Sequence, residues 1–316
     1  TTQYTDCCHE SSQRVYHTIP TSGAGSSGTN YDQTAFGYDV MKRRNRTETP
    51  GGTIKFKVYD VRDQEIESWT GTDDTGATAS DPSGGGASGN NMVKITALEY
   101  DEGNDGGDGN VTNQTQYVDS STTRVTTLEY DYRSRRTETD GEEDFSEKLT
   151  YDNLDRVTKR ERYDTTTSGN LVSRSETEFD DRGRVYQTIR YGVDPSTGTV
   201  GNSLTDNTWL DAAGNAIKQQ AAGSDLFTKT TYDSLGRRTV RYSGYDQDET
   251  SYADAGTVTG DTIMEQVEST YDDAGNTIES VTRQRYHNAP ASQTGELKSP
   301  SMTPNARVSY TAMYPD

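Results

Sequence analysis

The stretch Thr231-Tyr-Asp-Ser-Leu-Gly-Arg237 contains the end of one strand, a tight turn and the start of a returning strand. In such a turn the Asp accepts hydrogen bonds from backbone amides just ahead of it, and the Gly supplies a left-handed backbone conformation. The same pattern occurs at Tyr151–Arg156, Phe179–Arg184 and Tyr271–Asn276. This stretch therefore predicts a β-hairpin closed by a type I turn with a bulge.

The pattern recurs along most of the chain, where the dipeptide Tyr-Asp occurs ten times. Self-similarity of this kind indicates that one supersecondary unit is stacked many times. The shortest intervals between units are 21 or 22 residues. Repeat units are predicted to start near Tyr38, Tyr59, Tyr100, Tyr130, Tyr151, Phe179, Leu210, Tyr232 and Tyr271. We expect residues 1–316 to form one continuous array, and to be an internal fragment of a longer protein.

The longer intervals contain insertions that are rich in Gly, Ser, Thr and Asp, a composition typical of loops. We expect these insertions to decorate one end of the hairpins. They span 71–90, 164–170, 194–206, 247–261 and 288–304.

The strand that returns from the turn at Gly183 alternates between two polar faces. Val185, Gln187, Ile189 and Tyr191 share one face, and neither face is strongly apolar. Only 28% of the chain is hydrophobic, too little for a thick two-sided core. The sequence predicts an all-β protein with a single-layer sheet, stabilised by cross-strand Tyr, Thr, Arg and Glu pairs.

These units resemble the YD repeats of the RHS family, on the evidence of Thr231–Arg237, Thr270–Asn276 and Thr150–Arg156. The resemblance extends from about Tyr31 to about Tyr286. It implies hairpins joined edge to edge into a spiral or tubular sheet. Family members include bacterial shells that enclose a toxic C-terminal segment, and animal adhesion receptors. The resemblance therefore implies an exported scaffold located outside the cell or on its surface.

Charge and cysteine content restrict the partners that we expect. The net charge of −20 disfavours nucleic acid and anionic membrane surfaces, and no apolar run is long enough for a membrane span. Cys7 and Cys8 are adjacent, so an interchain contact through them is an alternative to free thiols. The expected partners are further repeats of the same polypeptide or identical copies.

One acidic stretch is a candidate calcium site. Calcium prefers six to eight oxygen ligands on a flexible backbone, and 101–110 concentrates carboxylates and glycines without the spacing of an EF-hand. The alternative is a solvated acidic loop. The candidate ligands are Asp101, Asn104, Asp105 and Asp108.

Catalysis is not expected, because the chain has only three histidines and no Gly-x-Ser-x-Gly nucleophile motif. No other cofactor is expected. The leading hypothesis is an extracellular structural scaffold in the form of a tube, fibre or shell wall. Two alternatives remain open: a shell that encloses a C-terminal toxin, and a cell-surface adhesion or glycan-binding module.

Overall fold

The computed structural model describes residues 1–5, 9–104, 106–141, 145–166, 168–245, 252–290, 292–298 and 306–312. The chain divides into two compact units. Unit 1 comprises Thr1–Lys148 with Thr165–Thr167, and unit 2 comprises Leu149–Asp164 with Ser168–Asp316. The same strand and turn pattern occurs in both units, and the single array over residues 1–316 stays a prediction.

Unit 1 is built from antiparallel strands that pair with their neighbours in chain order. The strands are β1 (Thr2–Tyr4), β2 (Glu10–Tyr16), β3 (Tyr31–Tyr38), β4 (Arg44–Glu48), β5 (Ile54–Tyr59), β6 (Glu65–Gly71), β7 (Val93–Tyr100), β8 (Val111–Tyr117), β9 (Thr123–Tyr130) and β10 (Arg136–Asp140). Strand β11 (Ser146–Tyr151) begins in unit 1 and ends in unit 2.

Unit 2 repeats this arrangement, again with antiparallel neighbours in chain order. Its further strands are β12 (Val157–Tyr163), β13 (Leu171–Phe179), β14 (Val185–Asp194), β15 (Thr199–Leu210), β16 (Ala216–Gln220), β17 (Leu226–Tyr232), β18 (Arg238–Tyr245), β19 (Thr262–Tyr271), β20 (Thr277–Arg285) and β21 (Ala306–Ala312). Its one α-helical segment among the described residues is α1 (Tyr252–Ala255). The predicted all-β hairpin array is confirmed.

The hairpin of β13 and β14 shows how the sequence produces this pattern. The strand register shifts between Glu178 and Phe179, one residue before the turn, so a bulge forms where the aromatic residue stands. Gly183 follows with a φ of 80°, a conformation that few other residues adopt without strain. The same position has a φ of 58° at Ser134 and 63° at Asp155. The predicted turn position is therefore kept where Gly is absent.

Cross-strand polar pairs stabilise the uncovered part of the sheet. The Arg174 guanidinium lies 4.8 Å from the centre of the Tyr191 ring on the opposite strand. The Tyr191 hydroxyl donates to Glu176 Oε2 at 2.8 Å. Pairs of this kind supply the side-chain contacts that a buried core provides in most sheets.

Two long insertions differ from the expected loops at one end of a hairpin, because each is associated with a buried hydrophobic cluster. In unit 1, Ile54, Phe56 and Met92 are buried together, and Trp69 and Ala77 pack against them. Ala77 belongs to the insertion and Met92 follows it, so this segment covers one face of β5.

In unit 2, a second cluster combines strand residues with residues of the connecting segments. Phe227, Tyr242 and Ile263 come from strands, and Val258 and Leu297 come from the insertions before β19 and after β20. The sheet therefore gains a second layer here, where burial of apolar surface stabilises it. None of the helices among the described residues is long and apolar enough to cross a bilayer.

Candidate functional site: the ladder between repeat turns

Each repeat turn is closed by one Asp, as the turn at Asp233 shows. Asp233 Oδ1 accepts hydrogen bonds from the backbone amides of Leu235 and Arg237, each at 2.9 Å. The backbone amide of Asp233 donates to the Arg237 carbonyl at 2.9 Å. Asp233 Oδ2 accepts from Arg237 Nε at 2.6 Å. One carboxylate thus orders the turn and binds Arg237, the residue immediately before the returning strand β18.

The same closure occurs at turns in both units. An Asp and the Arg four residues later form an ion pair at Asp39 and Arg43, Asp131 and Arg135, Asp152 and Arg156, and Asp180 and Arg184. Asn replaces this Arg at Asn215 and Asn276, and Gln replaces it at Gln64. The sequence analysis does not predict that this Arg closes the turn. The signal that could have shown it is the constant spacing of four residues between the Asp and the Arg.

Hydrogen bonding lowers the pKa of these turn carboxyl groups. Amide donation from Arg184 is the main cause that lowers the pKa of Asp180, and the Arg184 guanidinium adds to it. The pKa of Asp233 is lowered in the same way by Arg237. Both causes favour the ionised carboxylate. The turns are therefore in their closed, charged form at neutral pH.

The Arg of one turn also reaches the next turn along the chain. Arg43 Nη1 donates to the Asp60 carbonyl at 2.6 Å, and its guanidinium lies 4.9 Å from the centre of the Tyr59 ring. At Arg237 the distances are 3.1 Å to the Asp272 carbonyl and 4.8 Å to the Tyr271 ring. Arg43 and Arg237 therefore each join their own turn to the turn and the aromatic residue of the next repeat.

At four repeats a Tyr completes the connection in the opposite direction. Its hydroxyl donates to the carbonyl of the residue that follows the Arg, Asn or Gln of the preceding turn. This hydrogen bond joins Tyr59 to Arg44, Tyr100 to Glu65, Tyr232 to Ala216 and Tyr271 to Arg238, at 3.4, 3.1, 2.9 and 2.8 Å respectively. We call these Arg and Tyr contacts between consecutive turns the turn ladder. The expected role of Tyr as a rung between strands agrees with these contacts.

Unit 2 contains a buried polar network that the sequence did not reveal. Lys229 Nζ donates to the Asp254 and Thr257 carbonyls at 3.0 and 2.6 Å, and to Asp261 Oδ2 at 2.8 Å. The side chains of Lys229 and Asp261 are only 3% and 5% exposed. The ammonium is satisfied by three acceptors, so it ties the insertion to the sheet.

Tyr242 lies beside Lys229 on the adjacent strand of the sheet. Its hydroxyl donates to Glu296 Oε1 at 2.9 Å. Burial raises the pKa of Tyr242 well above its usual range, and the hydrogen bond to Glu296 adds to the shift. The phenol therefore stays protonated and acts as a hydrogen-bond donor that fixes the second insertion.

The candidate calcium ligands lie in the expanded turn of the repeat that starts at Tyr100. The Asp101 carboxylate accepts from the Gly109 amide at 2.9 Å and pairs with Arg62 at 2.9 Å. The side-chain amide of Asn104 donates to the Asp101 carbonyl at 2.7 Å. Asp108 is exposed, whereas Asp105 lies outside the described residues.

Within the described ranges, no group of three or more His, Cys, Asp or Glu side chains is placed to hold a metal ion. The Asp101 carboxylate closes its loop with the contacts found at the shorter turns. Calcium binding at this stretch stays a prediction. Cys7 and Cys8, the proposed interchain contacts, also lie outside the described residues.

No protein-family model matches the chain, and no curated protein sequence matches it. Three solved structures that it resembles are TcdB2-TccC3, the TcdB2-TccC3-Cdc42 structure, and the Tc holotoxin pore of Photorhabdus luminescens. Sequence identities are 12%, 12% and 13%, and TM-scores are 0.29, 0.29 and 0.28. The matches cover 87% of this chain but only 16%, 15% and 15% of those chains. TM-scores this low do not establish a shared three-dimensional arrangement, so the function is inferred from the chain itself.

Proposed function

We propose that this chain is a wall segment of an extracellular structural scaffold built from YD repeats. The observation that supports this most strongly is the turn ladder, in which each repeat contacts the next through Arg, Tyr and backbone carbonyl groups. Because every contact is between neighbours, repeats can be added without a new core. The proposed role is mechanical and needs no catalytic step.

The acidic surface suits a scaffold that stands outside the cell. With a net charge of −20, copies repel one another and stay soluble until specific contacts form. The edge strands of such an array expose unpaired backbone groups, which further repeats or identical copies cover. We therefore propose such repeats as its partners.

Electron microscopy of the complete protein tests this proposal. We expect elongated or hollow particles with a thin wall, and release of the protein when intact cells are treated with protease. Isolated compact globular monomers contradict the scaffold. Protein that resists surface proteolysis until the cells are lysed contradicts the location outside the cell.

The same images separate the scaffold from a toxin shell. A shell shows density enclosed within the wall, and its enclosed segment resists protease until the wall is opened. An empty wall, with every segment equally sensitive to protease, favours the scaffold. The resemblance to the RHS family supports the toxin shell as the second candidate.

A further inference from the structure

A step of the turn ladder leads from the closing residue of one turn to the aromatic residue of the next repeat, and at the step from Asn215 to Tyr232 Asn replaces the bridging Arg. Two steps before it, Arg156 covers the Phe179 ring at 4.3 Å, and at the step after it, Arg237 covers the Tyr271 ring at 4.8 Å. The intervening step has Arg184 in its turn but Leu210 in place of the aromatic residue. In the part of the chain that the structure describes, no cation or ring covers the Tyr232 ring.

A cleft with a volume of 590 Å³ lies at this step. It is lined by the acidic residues Asp211, Asp233 and Glu296, and by Tyr232. Lys229 also borders the cleft, but its ammonium is bound by two backbone carbonyls and by the buried Asp261 carboxylate. Asp233 is paired with Arg237 at 2.6 Å, so the negative charge of the cleft comes from Asp211 and Glu296.

The contacts of Arg237 at the next step show which chemical group this cleft can bind. The Arg237 guanidinium donates to the carboxylate of its own turn and to the carbonyl of Asp272, and it stacks on the Tyr271 ring. Near Asn215, the Asp211 carboxylate accepts from the shorter Asn amide at 2.9 Å. The amide is too short to supply the second hydrogen bond and the stacking contact. The carboxylate, the next turn's carbonyl and the ring face remain together without the planar cation that joins them elsewhere.

We propose that this cleft binds a guanidinium group from outside the chain, in the position that Arg237 occupies at the next step. Guanidinium is planar, always charged and able to donate in parallel to a carboxylate while it stacks on an aromatic ring. The ligand is an arginine side chain of a partner polypeptide or a small molecule with the same group.

A second substituted step, at Gln64 in unit 1, does not share this property. Its cleft, next to Tyr100, is lined by Arg62, which pairs with Asp101 at 2.9 Å. The Arg62 guanidinium already lies at this cleft and repels a second cation. The inference therefore does not extend to the Gln64 step.

Calorimetric titration with N-acetyl-L-arginine amide tests the inference, with N-acetyl-L-citrulline amide as the neutral probe of the same shape. We expect the citrulline probe to bind at least about tenfold more weakly, because it lacks the charge. Equal binding of the two probes overturns the proposal.

Two variants locate the binding. Asn215→Arg restores the bridging guanidinium within the chain, so it should abolish binding of the arginine probe, whereas the matched Asn276→Arg should leave it unchanged. Glu296→Gln should weaken binding severalfold without a change to the ladder, which keeps the test valid if Asn215→Arg folds poorly. Unchanged binding by both Asn215→Arg and Glu296→Gln overturns the proposal.

Free arginine distinguishes the two sources of the ligand. Its α-carboxylate is repelled by the acidic cleft, so tighter binding of the capped probe than of free arginine supports a polypeptide partner. Binding of free arginine at least as tight as that of the capped probe supports a small molecule.

Discussion

Within unit 2, the hairpin of β13 and β14 and the strands β17 to β19 show two ways of stabilising the same repeat. The first relies on cross-strand polar pairs and the turn ladder, and its strands are mostly half-exposed. The second adds a buried layer made by the insertions before β19 and after β20. The turn at Asp180 and the turn at Asp233 have the same contacts in both settings. The turn is therefore the constant element, and the buried layer is an addition.

Strands with and without a buried layer differ in the number of residues between consecutive repeat starts. The two longest intervals in the chain are 41 residues from Tyr59 to Tyr100 and 39 residues from Tyr232 to Tyr271. Among the described residues, each contributes to a buried hydrophobic cluster, and the cluster in unit 2 also includes Leu297 from the segment after β20. A loop that long has enough residues to return over the sheet and contribute apolar side chains such as Val258. The shorter insertion at 194–206, all of which the structure describes, contributes no residue to either cluster.

Loss of the buried ion pair should produce the largest difference between the two settings. Lys229→Met leaves the Asp261 carboxylate buried without its cation, which costs about 3–5 kcal/mol of local stability. Hydrogen exchange should accelerate in β17 to β19 and stay unchanged in β13 and β14. Lys159→Met is the matched control, because its ion pair with Glu161 is partly exposed. Equal acceleration in both regions would show that the buried layer is not a separate stabilising element.

A cavity in the buried layer should have the next largest effect. Ile263 is fully buried, so Ile263→Ala should lower the free energy of unfolding by about 2–4 kcal/mol. The matched Ile189→Ala, on a half-exposed strand, should cost about 1 kcal/mol. Urea unfolding followed by circular dichroism measures both values. Equal costs would contradict the distinction between covered and uncovered strands.

Removal of one step of the turn ladder should have a smaller effect. Arg237→Gln loses the guanidinium contacts to Asp233, to the Asp272 carbonyl and to the Tyr271 ring, which should cost about 1 kcal/mol. Arg190→Gln is the control, since its side chain is 65% exposed and its ion pair spans 3.3 Å. We expect no measurable change there. A control that costs as much as Arg237→Gln would assign the effect to net charge rather than to the ladder.

Acid should lower the folding stability of both regions. The loss contributed by each single turn should be smaller than the effects of the substitutions above. The pKa of Asp180 and that of Asp233 are lowered by hydrogen bonds in the folded state, and that of an unfolded Asp is about 3.9. The unfolded chain therefore takes up protons first, so this stability is present above about pH 4 and is lost as the pH falls through the folded values. Unfolding midpoints measured from pH 7 to pH 2 should fall only at the acidic end. The Asp233→Asn variant should show a smaller decline, and an identical decline would contradict the assignment.

The sequence predicts the repeated turns well because their chemistry is local. The closing Asp, the left-handed position at Gly183 and the strands on both sides are all fixed within a few residues. Ser134 and Asp155 adopt the same left-handed conformation in the absence of Gly, since the rest of the turn selects it.

The buried layers were not predictable in the same way. Val258, Met92 and Leu297 are isolated apolar residues in polar segments, and no periodicity distinguishes them from exposed ones. The pairing of Lys229 with Asp261 joins residues 32 positions apart in the sequence. Contacts of this kind depend on how a long insertion folds back, which local patterns do not encode.

The expanded loop at 101–110 has a practical consequence for protein engineering. Asp101 closes this loop through the Gly109 and Asn110 amides and the Asn110 carbonyl, the same contacts that close a turn half its length. The closing contacts lie at the base of the loop, so its length is free to vary. A foreign epitope or reporter peptide grafted between Glu102 and Asp108 would be displayed at the sheet margin while the hairpin below keeps its register.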